Sequence, residues 1–123
     1  MSYTTYDFEE SLKQAEGFSK EDVQKCLFAW GGSPEGGGSW EGGFLLLLKD
    51  GRYAYLAGWC DYTGWGCQDG VSTTIFSELP NLSALKIREK GENGWIWDEE
   101  PSGWDENPAD LNRYLRGEVS AFD

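Results

Sequence analysis

Phe44-Leu45-Leu46-Leu47-Leu48 is an unbroken apolar run that leads straight into Lys49-Asp50-Gly51-Arg52. A strand without a polar position has no side to offer to water, so this run is expected at the centre of a sheet, covered on both faces. Asp-Gly is a strong hairpin signal because it readily supplies positive φ at both turn positions. The return segment, Tyr53 to Trp59, puts Tyr53, Tyr55, Ala57 and Trp59 on one face and Ala54, Leu56 and Gly58 on the other. That second face is small and leaves room for a helix to lie close.

The hairpin runs into Gly58-Trp59-Cys60-Asp61-Tyr62-Thr63-Gly64-Trp65-Gly66-Cys67-Gln68-Asp69-Gly70, thirteen residues with two Trp, two Cys, two Asp and four Gly. Trp supplies a large flat surface and Gly lets the backbone bend close to something. The expectation is a Trp-rich loop that either holds a ligand or caps the end of the sheet. A third strand is expected over 71–76 and a short one over 95–97. Helices are expected near 7–16, 20–30 and 108–116. In the second of these, Ser19 and Asp22 resemble a capping box, and Val23, Cys26, Leu27 and Trp30 recur at helical spacing. Cys26 on that stripe reads as a buried, inert thiol. Ser33 to Gly43 reads as a Gly-rich loop, either a mobile tether or a strap pinned by Trp40 against the body. Asp98 to Asn107 reads as an acidic linker, after which Asn107 caps the last helix with Pro108 at its first position. These elements define a single α+β domain over 1–123, a small antiparallel sheet packed against two or three short helices.

The 123 residues carry 22 acidic and 10 basic side chains, a net charge of −12. The excess is greatest at the two ends of the chain, around a nearly neutral centre. Such a field repels nucleic-acid phosphates and anionic membranes and attracts basic surfaces. Solubility alone is the plainer reading of it. No apolar run approaches the roughly 20 residues needed to span a bilayer. The first residues lack the basic start and apolar stretch of a secretion signal. An odd count of 3 Cys suits a reducing compartment, so a cytoplasmic protein is expected, in a bacterial or phage-infected cell.

The chemistry on offer is narrow. With no His, the Ser-His-Asp and Cys-His arrangements and His-ligated metals are excluded. Phosphate-cradling glycine motifs are also missing, so no cofactor is expected. Cys60 and Cys67 are spaced unlike a zinc pair, even with Cys26, Asp61 or Asp69 added. They read as two reduced thiols, with a disulfide between them as the alternative for an exported protein. Asp61, Thr63 and Asp69 are a weak oxygen set for calcium. Asp61 and Asp69 beside Trp59 and Trp65 have the composition of a sugar site, and a carboxylate-dependent hydrolase is the least favoured reading of it. Asp98, Glu99, Glu100, Trp104, Asp105 and Glu106 join carboxylates to an aromatic, the composition of a contact with a basic protein. A solvated connector with Trp104 tucked onto the fold is the plainer alternative.

The Gly43–Gly70 stretch, with its apolar strand, Asp-Gly turn and G-W-C-D-x-T-G-W-x-C-Q loop, resembles a set of small uncharacterised bacterial and bacteriophage proteins. It covers under a quarter of the chain. The resemblance implies a microbial or phage origin and a compact domain, and carries over no catalytic or binding residue. The expectation is therefore a non-enzymatic acidic binding protein, monomeric or a small homo-oligomer, acting on a basic protein surface without binding nucleic acid directly. A phage- or mobile-element-encoded inhibitor or DNA mimic would fit. The alternative is a small-ligand or carbohydrate-binding module using Trp59, Asp61, Trp65 and Asp69.

Overall fold

The computed structural model describes residues 5–32, 39–64, 66–82, 85 and 104–120. Helix α1 spans Thr5–Lys13, and a single 3-10 turn occupies Lys20–Asp22. The strands are β1 (Val23–Gly32), β2 (Ser39–Leu48), β3 (Tyr53–Gly64), β4 (Gly66–Phe76) and β5 (Asp105–Glu106), and helix α2 spans Ala109–Leu115. One antiparallel sheet has the order β4-β3-β2-β1-β5. The α+β expectation is met. The strand expected over 95–97 lies outside the described residues.

The apolar run is the middle strand, as its lack of polar positions requires. Phe44, Leu46 and Leu48 face one core with Ala54 and Leu56, covered by Phe8 and Leu12 of α1 and Leu111 and Tyr114 of α2. The Phe8 ring sits 4.9 Å from that of Phe44. Leu45 faces the opposite core with Tyr55, Ala57 and Leu85, joined at its margin by Phe28, Tyr53, Phe76, Leu82 and Trp104. The small face of β3 is the one the helices cover, as its Ala and Gly content predicts.

The turn after β2 differs from the expected pair of positive φ angles. Only Gly51 has one, at 92°, while Gly51 N–H donates to the Leu48 carbonyl and Leu48 N–H to that of Arg52. This is the pattern of a three-residue hairpin loop, with one left-handed residue rather than two. Asp50 accepts from the Arg52 backbone N–H and side chain, and those bonds hold its carboxyl below its usual range.

The helix expected over 20–30 is a correction. Ser19 and Asp22 do form their local box, with Ser19 N–H donating to the Asp22 carboxylate at 3.0 Å, but it caps one 3-10 turn. The chain then becomes β1. Its register against β2 slips between Val23 and Lys25 and again between Cys26 and Phe28, one extra β1 residue each time. An extra residue shifts the period-2 alternation, so the buried positions Val23, Cys26 and Ala29 fall three apart. A twice-bulged strand thus imitates a helical stripe. Cys26 is nonetheless buried, as expected of an inert thiol.

Strand also occupies described parts of two expected loops. β2 already begins at Ser39, and the 58–70 segment is the far end of the long β3–β4 hairpin, closing where Gly64 pairs with Gly66.

Candidate functional site

Trp104, Asp105, Glu106 and α2 form one strap that crosses the β1 edge of the sheet. Trp104 lies on one face, its ring 6.1 Å from Phe28 and 6.2 Å from Tyr55. Asp105 and Glu106 then pair with Ala29 and Phe28 as β5, both exposed. β5 ends after two residues for local reasons. Asn107 N–H donates to the Leu27 carbonyl at 2.8 Å, Asn107 takes a φ of 49°, and Pro108 has no N–H to offer. Pro108 occupies the cap position of α2 and Asn107 precedes it, one residue off the expected arrangement. Leu111 and Tyr114 then dock on the opposite face.

Asn112 fixes the strap to the edge. Its Oδ1 accepts from Cys26 N–H at 2.8 Å, and its Nδ2 donates to the Cys26 carbonyl at 3.0 Å. The carboxamide thereby acts as a one-residue strand beside the second bulge. Nδ2 also donates to the Pro108 carbonyl within α2. The helix closes with Gly117 at a φ of 78°, Gly117 N–H on the Tyr114 carbonyl and Glu118 N–H on that of Arg113. That is the Schellman pattern of helix termination. Spacing alone gave no hint of Asn112, although a poor helix former within a seven-residue helix was the available signal.

Asp105, Glu106 and Asp110 are exposed. Ion pairs between described residues are local and exposed: Lys13 with Glu10, Arg52 with Asp50, Arg113 with Asp110 at 3.9 Å, and Arg116 with Glu118. Exposed pairs of this kind contribute little to stability. Lys20 instead sits over the Tyr114 ring, 4.1 Å from its centroid.

Of the expected partner-binding residues, Trp104, Asp105 and Glu106 belong to the strap, whereas Asp98, Glu99 and Glu100 lie outside the described residues. Trp104 packs against the sheet, as the connector alternative anticipated. Of the expected ligand-binding residues, Trp65 lies outside the described residues. Trp59 pairs with Glu41 on one side and Gly70 on the other; Asp61 pairs with Gln68, and Asp69 with Cys60. Trp59 and Asp61 therefore occupy positions on one face of the hairpin. Asp69 occupies the adjacent rung, which belongs to the other face. Asp61 and Asp69 thus stand on neighbouring rungs of the hairpin.

Cys26 offers no thiolate to a metal. It is walled into the core, burial pushes its thiol pKa up, and its Sγ contacts the Phe28 carbonyl at 3.4 Å. Among the described residues no group of three or more Cys, Asp or Glu is placed to hold a metal ion. Nor is any described helix long and apolar enough to cross a membrane.

Compared with protein-family models, with curated proteins and with solved structures, the chain matches none.

Proposed function

We propose that this chain is a non-enzymatic acidic binding protein that presents its C-terminal strap to a basic protein surface, in the manner of an inhibitor or DNA mimic encoded by a phage or mobile element. The observation that carries this reading is the strap itself. Asp105 and Glu106 stand exposed on a strand pinned by the β1 ladder, and Asp110 follows on α2 a few residues later. The backbone carrying these carboxylates is held by Asn112 and Trp104, so binding would cost little ordering of the chain. Charge steers the encounter and pre-organisation limits the entropy lost. Trp104 supports the strap from beneath in this reading.

The test is capture of basic proteins from a bacterial lysate on the immobilised protein, eluted with a salt gradient. Release at moderate salt is expected, and Asp105→Lys combined with Glu106→Lys should abolish capture while leaving the melting temperature nearly unchanged. Capture that ignores both salt and charge reversal, or no basic protein retained at all, would overturn the proposal.

A further inference from the structure

We propose that Asp50-Gly51 is a latent site of isoaspartate formation, held closed by the folded β2–β3 hairpin and released whenever that hairpin opens. The inference does not depend on the function proposed above. Asp-Gly is the step most open to this chemistry, because glycine has no Cβ to shield its nitrogen from the preceding side chain. The Gly51 nitrogen attacks Asp50 Cγ. The N–Cγ bond forms, and the amide proton leaves with the carboxyl OH as water. Water then opens the resulting succinimide. Addition at one carbonyl restores the aspartate, and addition at the other leaves the main chain running through the side-chain carboxyl. The water lost is regained, so no oxidant, reductant or cofactor takes part.

Burial does not protect this pair. Asp50, Gly51 and Arg52 are all exposed, and a side chain at Gly51 would meet nothing within 4 Å. Hydrogen bonding protects it, at both reacting groups. Gly51 N–H donates to the Leu48 carbonyl at 3.0 Å, a bond the nitrogen must give up before it can lose its proton. On the carboxyl, Oδ1 accepts from the Arg52 backbone N–H at 2.9 Å and Oδ2 from Arg52 Nε at 2.8 Å. Both bonds favour the ionised carboxylate, which has no OH to release. Leu48 N–H on the Arg52 carbonyl, at 2.9 Å, closes the loop around the two groups. Nucleophile and electrophile are thus restrained by separate bonds, and a local opening of the turn is what breaks both at once.

The place of this turn makes the lesion matter. It joins the strands that bring Phe44, Leu46, Leu48, Ala54 and Leu56 to the helix-covered core. Isoaspartate adds one carbon to the main chain within a three-residue loop whose length sets the register of the hairpin. A chain that opens long enough to isomerise therefore cannot close the same turn again.

The test is incubation of the protein at neutral pH, folded and in guanidinium chloride, with isoaspartate at position 50 read by peptide mapping and electron-transfer fragmentation. Mapping by site keeps Asp50 apart from the Asp69-Gly70 and Asn93-Gly94 steps. Isoaspartate at Asp50 is expected to accumulate about tenfold or more slowly in the folded protein. Arg52→Ala removes the Nε bond and keeps the backbone one, so folded Arg52→Ala should isomerise about two- to fivefold faster than the parent. Chains isomerised in denaturant and returned to buffer should lack the near-ultraviolet dichroism of the parent. Equal rates in the folded and unfolded protein overturn the proposal. So do a folded Arg52→Ala variant that isomerises no faster, and isomerised chains that regain the native dichroism in full. The comparison of rates on the unmodified protein decides the matter even if Arg52→Ala fails to fold.

Discussion

Asn112 shows how much one side chain can carry when it stands in for a strand. Its carboxamide answers both polar groups of the Cys26 peptide, which the short β5 does not reach. Asn112→Ala leaves a donor and an acceptor without their partner at a partly buried position, and each such loss costs about 1–3 kcal/mol. The expected destabilisation is about 2–4 kcal/mol in urea unfolding. Faster hydrogen exchange across α2 should accompany it. A variant within 0.5 kcal/mol or so of the parent, inside the range of neutral surface changes, would mean that water replaces the carboxamide without loss. Trp30 and Tyr55 make a second long-range contact, the indole Nε1–H donating to the phenol oxygen at 3.0 Å across the width of β2. They meet above Gly43, the β2 residue paired with Trp30.

At the level of elements, two glycines of one hairpin serve different ends. A methyl group at Gly43 would overlap both Trp30 Nε1 and the Tyr55 hydroxyl, whereas at Gly51 it would meet nothing and suffer only from the positive φ. Gly51→Ala is therefore expected to cost about 1 kcal/mol. Gly43→Ala should cost about 2–3 kcal/mol, in the range of overpacked cores, with a changed near-ultraviolet dichroism from Trp30. Equal costs measured by urea unfolding would refute the distinction. The hairpin itself was legible in the sequence because local chemistry specifies it: an apolar run, Asp-Gly, then a second apolar run with aromatics on one face and small residues on the other. β1 was not, because its bulges depend on pairing with β2 and convert a strand's period into an apparent helical one. β5 was equally hidden, since two acidic residues form a strand only where an edge is waiting for them. For the acidic segment, composition drew the eye to Trp104, Asp105 and Glu106, but only the fold reveals that the tryptophan packs against the sheet. For Trp59, Asp61 and Asp69, nearness in sequence says nothing about which rung, and hence which face, a strand residue occupies.

For the whole molecule, three buried ionisable groups set the alkaline limit of stability. Burial pushes Tyr55 up to about 12 despite the Trp30 hydrogen bond, which acts the other way. Burial first, then the neighbouring Glu9 and Glu21 charges, push Tyr114 up to about 12, and burial raises the Cys26 thiol as well. Each group holds its proton more tightly folded than unfolded. The associated stability is intact below the ordinary values, 9.0 for the thiol and 10.0 for the phenols, and is lost as pH rises toward 12. Urea midpoints should hold steady to about pH 9 and then fall steeply, with a shallower fall in Tyr114→Phe; a flat profile to pH 11 would contradict the burial of these groups. The Cys26–Asn112 contact has a further consequence, for synthesis. It joins residues 86 apart, and α2 covers the same sheet face as α1. A ribosome makes Val23 through Phe76 long before α2 exists, so the growing chain carries a half-covered apolar sheet with its β1 edge open until translation has passed residue 112. Premature termination anywhere between the end of β4 and α2 would release a fragment with both an exposed core and an unsealed edge, the combination that quality-control chaperones and proteases recognise.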